Sequence, residues 1–174
     1  MAGVKGYSLW LMPKDDVSNY LYNLIFQLSK KYSTPNFEPH ITLIGELAGS
    51  EKDIISKTSQ LAAVVKPYKV MLTKVEYLDE YFRCLFIKVK ETDDVMNANS
   101  IARKIFNRNQ DPKYEPHLSL MYGKLSIKTK EKIIGEIGKE FYISFEAKSI
   151  HLFLTNGEPR DWHRIKEITL NSYP

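Results

Sequence analysis

Two histidines in this 174-residue chain stand in near-identical frames. Glu38-Pro39-His40-Ile41-Thr42-Leu43 returns as Glu115-Pro116-His117-Leu118-Ser119-Leu120, an offset of 77 residues. Imidazole titrates near neutrality, so one histidine can take a proton while a second gives one. A hydroxyl two residues further on can donate to an oxygen that gains negative charge. Such a set suits hydrolysis of a cyclic phosphate. A neutral imidazole removes a proton from water as it attacks phosphorus, and a protonated imidazole opposite protonates the departing ribose oxygen. We expect His117 as the base and His40 as the acid, with Thr42 and Ser119 holding the nonbridging oxygens. The scheme requires neither metal nor cofactor. A lone strand histidine is usually structural, but a duplicated core has no need of histidine at both places.

The frames need strands to aim them. Proline keeps the residue before it extended and supplies no N–H. Side chains then alternate, so His40 and Thr42 share one face and Ile41 and Leu43 the other. His117 and Ser119 stand likewise against Leu118 and Leu120. The apolar faces are committed to core, which leaves the histidine faces to line a cleft. Alternation predicts strands near 4–12, 39–45, 68–78, 82–90 and 116–122, then across 141–155 and at 163–170. Helical spacing predicts helices near 16–31, 51–65, from 92 or 93 through Ile105, and 129–139, the last weakened by Gly135 and Gly138. Asp15 or Asp16, Ser50, and Thr92 or Asp93 are the expected caps. The 77-residue offset also sets Leu9 on Phe86, Leu21 on Ala98, Ile25 on Ala102 and Leu28 on Ile105. The chain therefore reads as an α+β fold of one bilobal domain spanning 1–174. Pseudo-repeats of about 4–79 and 81–156 are followed by a closing strand at about 161–171. Two mainly antiparallel sheets with helices outside, related by a pseudo-twofold, would bring both frames to one cleft. The polar stretch Asn107 to Tyr114 is expected to form a wall of it.

Composition narrows the partners. A chain this long buries roughly 70% of its unfolded surface and needs no staple. One cysteine, Cys84, excludes an intrachain disulfide framework and any cysteine-rich zinc module. No His-Glu-x-x-His or similar spacing points to a metal. Lys and Arg exceed Asp and Glu by only 25 to 21, which suits a small anionic ligand better than a long nucleic acid. No apolar run approaches the ~18 residues of a membrane span. Neither end resembles a lipidation or retention signal, so a soluble monomer in the cytosol or nucleus is expected. His151 and His163, outside the frames, read as structural or surface residues, and Trp10 and Tyr7 as core.

His40-Ile41-Thr42 and His117-Leu118-Ser119 resemble the paired His-x-[Thr/Ser] motifs of the two-histidine (2H) phosphoesterase superfamily. The tract Pro116 to Gly123 is most similar to the cyclic phosphodiesterases of plants and yeasts, and the resemblance covers nearly the whole chain. It implies hydrolysis of ADP-ribose 1″,2″-cyclic phosphate to ADP-ribose 1″-phosphate, downstream of tRNA splicing. It also implies opening of nucleoside 2′,3′-cyclic phosphates to 2′-phosphates. Tyr122 matches a family aromatic that contacts the substrate, whereas the first copy has Gly45 at the equivalent place. Related branches process RNA ends or 2′,5′-linked RNA. A non-catalytic nucleotide- or RNA-binding module is the reading from outside the enzyme class.

Overall fold

In the first strand, β1 (Tyr7–Leu11), apolar residues occupy both faces, and only their surroundings tell core from cleft. The computed structural model describes residues 4–171; the end residues used above to test for targeting signals, 1–3 and 172–174, lie outside the described residues. After β1 come α1 (Asp15–Tyr32), β2 (Ile41–Leu47), α2 (Glu51–Val64), β3 (Tyr68–Glu76) and β4 (Leu85–Val89). Then follow α3 (Asp93–Ile105), β5 (His117–Met121), α4 (Ile127–Ile137), β6 (Glu140–Ala147), β7 (Ser149–Leu154) and β8 (His163–Thr169). Ser50 caps α2 by accepting from the Asp53 amide, and Thr92 caps α3 by accepting from Val95. At α1 the expected aspartate cap is absent. Lys14 holds that position without a side-chain bond, and Asp15 and Asp16 sit in the first turn, where negative charge favours the helix dipole. Gly138 ends α4 at φ 89°, a left-handed backbone that glycine adopts without penalty.

All strand pairings are antiparallel, and they form one eight-stranded sheet in the order β6-β3-β4-β5-β2-β1-β7-β8. The two sheets expected from the sequence are therefore two four-stranded halves of a single sheet. They meet at β2 and β5 through one Cα pair, Ile41 with Leu118. Strands also change sides. β3 leaves β1 and β2 to pair with β4 and β6, while β7 comes back to pair with β1.

One face of the sheet is covered by the helices. Leu9, Leu11, Ile41, Leu43, Leu118 and Leu120 point there and join Leu21 and Ile25 of α1 and Ala98 and Ala102 of α3 in the main core. α1 packs on β5 and α3 on β2, so each helix crosses to the half that its own strand did not enter. The opposite face carries His40, Thr42, His117 and Ser119. Among the described residues, no helix is long and apolar enough to cross a membrane.

Candidate active site

Antiparallel pairing of Ile41 with Leu118 places His40 beside Ser119 and Thr42 beside His117. Each histidine thus neighbours the hydroxyl of the other frame. All four line one cleft of about 460 Å³. His40 Nδ1 lies 2.6 Å from the Glu38 carbonyl, and His117 Nδ1 lies 2.8 Å from that of Glu115. A carbonyl can only accept, so Nδ1 carries the proton and donates. Each neutral ring is left with an Nε2 lone pair for the cleft. The two-residue spacing from Glu to His, fixed by the intervening proline, sets the tautomer in both copies.

The surroundings of the two rings differ. His40 is 5% exposed and stacked on Trp10, with ring centroids 3.6 Å apart and planes at 11°. Phe37 meets it edge-on, and the Tyr122 hydroxyl lies 3.4 Å from its Nε2. Burial among these rings pushes the His40 pKa down to about 4, against a weaker upward pull from the Glu38 carbonyl. His117 is only half-buried, with Phe86 edge-on to it. Burial lowers its pKa too, and Arg83 adds to this, but the Glu115 carbonyl and the Glu115 and Glu80 carboxylates oppose the change. Arg83 holds both carboxylates, Glu80 through two bonds of 2.8 and 2.9 Å and Glu115 at 2.6 Å. In the first frame Arg164 stands near Glu38 at 3.7 Å.

The hydroxyls differ as well. Thr42 Oγ1 has no protein partner among the described residues, whereas Ser119 Oγ donates to the Phe82 carbonyl at 2.9 Å. Tyr122 is buried, and burial raises its hydroxyl pKa, so it stays a neutral donor. At Gly45, a Cβ would stand 3.3 Å from Ser8 Oγ and 3.4 Å from Thr42 Cγ2. A side chain there would press on Ser8 and Thr42, so the first copy has no room for a counterpart of Tyr122.

Trp10 is buried, as the sequence reading expects, at 3% exposure. It belongs with Met12 and Phe153 in a small cluster apart from the main core and lines the cleft. Tyr7 packs against the main core. Phe82 and Arg83, expected inside a strand over 82–90, lie instead with Glu80 on the turn before β4, which begins at Leu85, and reach the cleft from there. The stretch 107–114 does contribute to the wall. Arg108 lines the cleft and donates to the Gly45 and Glu46 carbonyls, while the Tyr114 hydroxyl donates to that of Thr42. His151 is buried beside Glu167, outside the cleft, and burial pushes its pKa to about 4. His163 is exposed and bonds the Asp161 carbonyl. Cys84 is buried, and burial raises its thiol pKa. Among the described residues no group of three or more His, Cys, Asp or Glu is placed to hold a metal ion.

The chain is 26% identical over 172 residues to a cyclic phosphodiesterase of Arabidopsis thaliana, covering 95% of both chains. It is also 26% identical to a 2′,3′-cyclic-nucleotide 3′-phosphodiesterase of Yarrowia lipolytica, over 77% of this chain and 64% of the relative. TT0787 of Thermus thermophilus has a similar fold, with a TM-score of 0.71 at 14% identity over 95% of this chain and 97% of that one. E. coli LigT, solved with 3′-AMP, superposes with a TM-score of 0.64 at 13% identity over 95% and 98% of the two chains. The family model described as "Cyclic phosphodiesterase-like protein" matches residues 5–170, a span that includes both histidine frames and every strand of the sheet, and the chain belongs to that family.

Proposed function

We propose that this protein hydrolyses small ribose cyclic phosphates: ADP-ribose 1″,2″-cyclic phosphate to ADP-ribose 1″-phosphate, and nucleoside 2′,3′-cyclic phosphates to 2′-phosphates. The observation that carries the reading is the crossed arrangement of His40 with Ser119 and His117 with Thr42 on one cleft floor. A phosphate lying across that floor has an imidazole Nε2 on either side and a hydroxyl beside each ring.

The surroundings of the rings support His40 as the base and His117 as the acid, the reverse of the order expected from sequence. Protonating a ring of pKa about 4 at pH 7 costs about 4 kcal/mol, so His40 is a neutral proton acceptor. An anion seated between the rings raises both pKa values, and the ring less depressed beforehand, His117, is protonated first. In the reaction a water oxygen bonds to phosphorus and loses its proton to His40 Nε2. The bond from phosphorus to the leaving ribose oxygen breaks, and that oxygen takes the proton of His117 Nε2. Thr42 donates to a nonbridging oxygen, and Ser119 can do so only by turning its hydroxyl from the Phe82 carbonyl. Tyr122 donates into the site beside His40. The scheme runs on protein side chains alone.

The modest net charge of +4 supports a compact anionic substrate, and we place the reaction downstream of tRNA splicing in the cytosol or nucleus, with the chain acting as a monomer. Phosphorus NMR of the purified protein with each cyclic phosphate tests the reading. The ring-strained cyclic resonance is expected to give way to a single monoester resonance at the 1″ or 2′ position. Persistence of both cyclic substrates would overturn it.

A further inference from the structure

Ser8, on the cleft wall, takes no part in the reaction as proposed. Leu9 of β1 turns to the main core, so Ser8, like Trp10, turns the other way. Ser8 is as enclosed as the site residues themselves, 4% exposed against 5% for both His40 and Ser119. A Cβ at Gly45 would stand 3.3 Å from Ser8 Oγ and 3.4 Å from Thr42 Cγ2, so any side chain there would lie against both. In the sheet order β5-β2-β1, Thr42 is on the strand between those of His117 and Ser8.

The Ser8 proton has a fixed destination. Thr155 Oγ1 donates to the Gly6 carbonyl at 3.1 Å, since a carbonyl can only accept. A hydroxyl has one proton, so the 3.0 Å bond between Ser8 Oγ and Thr155 Oγ1 is donated by Ser8. Ser8 Oγ then keeps lone pairs alone, and toward the cleft it is an acceptor. Reversing the relay would cost the bond from Thr155 to Gly6, and Ser8 and Thr155 are both buried, where a lost bond is expensive. Across Gly45 stands the complement, because in the proposed mechanism the Thr42 hydroxyl is a donor to a nonbridging oxygen. The wall therefore offers a donor for the phosphate and, beside it, an acceptor for something that carries a proton.

We infer that Ser8 is a specificity-determining residue, which accepts a hydrogen bond from the ribose hydroxyl next to the leaving oxygen. The inference rests on the proposed cyclic-phosphate activity, with His117 as the acid, and it ranks the two substrates. With its leaving oxygen at His117 and its phosphate at Thr42, a sugar meets Ser8 with the next oxygen along the ring. In ADP-ribose 1″,2″-cyclic phosphate the leaving oxygen is O2″, and the free O3″ hydroxyl stands beside it. In a nucleoside 2′,3′-cyclic phosphate opened to the 2′-phosphate the leaving oxygen is O3′, and neither adjacent carbon bears a hydroxyl. The first substrate gives Ser8 a donor, whereas the second leaves an enclosed acceptor unpaired.

Two changes, made singly and together on the full chain, test it: the variant Ser8→Ala and the 3″-deoxy analogue of ADP-ribose 1″,2″-cyclic phosphate. Each alone should lower kcat/KM about tenfold, the value of one hydrogen bond, and the two together should lower it no further. Ser8→Ala should also cost a nucleoside 2′,3′-cyclic phosphate less than it costs the ADP-ribose substrate. Additive losses would overturn the contact, as would equal losses on the two substrates, which would make Ser8 a general support or a holder of the attacking water. The comparison of the deoxy analogue with its parent uses the unaltered protein, so it stands whatever the folding of Ser8→Ala, and equal kcat/KM for that pair would refute the inference. If no cyclic phosphate is turned over, the activity reading fails by itself. Calorimetric affinity for the parent and the deoxy analogue then decides the contact, with about a tenfold gap upholding it and equal affinities refuting it.

Discussion

The two histidine frames share Glu-Pro-His, the same carbonyl bond and the same tautomer, yet one ring is enclosed by aromatics and the other is flanked by carboxylates. His40 is held neutral by Trp10, Phe37 and Tyr122. His117 is kept closer to its ordinary range by Glu80 and Glu115. Duplication alone supplies two equivalent imidazoles, which do not divide acid from base. In the proposed mechanism the division comes from what each half packs around its ring, and it is reinforced by Gly45, which leaves the first copy without a counterpart of Tyr122.

The largest expected effect tests whether the difference is functional. His40→Ala and His117→Ala should each lower kcat/KM by about 10²–10⁴, with unchanged circular dichroism as the folding control. The two should separate on a cyclic substrate whose leaving oxygen is replaced by sulfur, a leaving group that needs no proton. His117→Ala should recover on that substrate and His40→Ala should not; the opposite pattern would restore the order expected from sequence.

The hydroxyls give the next contrast. Thr42→Val should cost about 10²–10³ in kcat, the range for one lost oxyanion donor. Ser119→Ala should cost less, because the Ser119 hydroxyl is engaged with the Phe82 carbonyl. Equal losses would show that the serine turns freely toward substrate.

Two pH experiments sharpen the comparison further. The proposed mechanism requires neutral His40 and protonated His117, so kcat/KM should rise with pH through the His40 pKa and fall through that of His117. Trp10→Leu admits water to His40, raises its pKa from about 4 toward 6.5, and should move the acid limb upward. An unmoved limb would detach it from His40. The smallest effect is expected from Glu115→Gln. Losing that carboxylate lowers the His117 pKa, so the alkaline limb should move down by less than about one pH unit, since the site is partly screened by solvent. Titration of the His117 ring resonances by NMR measures the same change directly.

Much of this site was legible because strand alternation is strict. Ile41, Leu43, Leu118 and Leu120 had to be core, and so the side chains between them had to face away from it. Trp10 shows where that reasoning fails. Alternation put it on the face opposite Leu9 and Leu11, but an apolar ring reads as core on either face until its neighbours are known. The same gap hid the pairing of β3 with β4 and of β7 with β1. Periodicity tells which way a side chain points and says nothing about which strand lies beside it. The break at Lys148, which sends β6 and β7 to opposite halves of the sheet, had no glycine or proline to announce it. Arg83 was invisible for another reason. Its role comes from holding Glu80 and Glu115 together, and Glu115 is 32 residues away.

The seam between β2 and β5 has a mechanical meaning. One Cα pair is a poor ruler for the span between the Nε2 atoms of His40 and His117. The splints are on the back, where α1 of one sequence half lies on β5 and α3 of the other lies on β2. Ile25 and Ala102, wholly buried and remote from any substrate, are therefore part of the gauge that sets the working distance of the front face. A change of volume there should register in turnover as well as in stability.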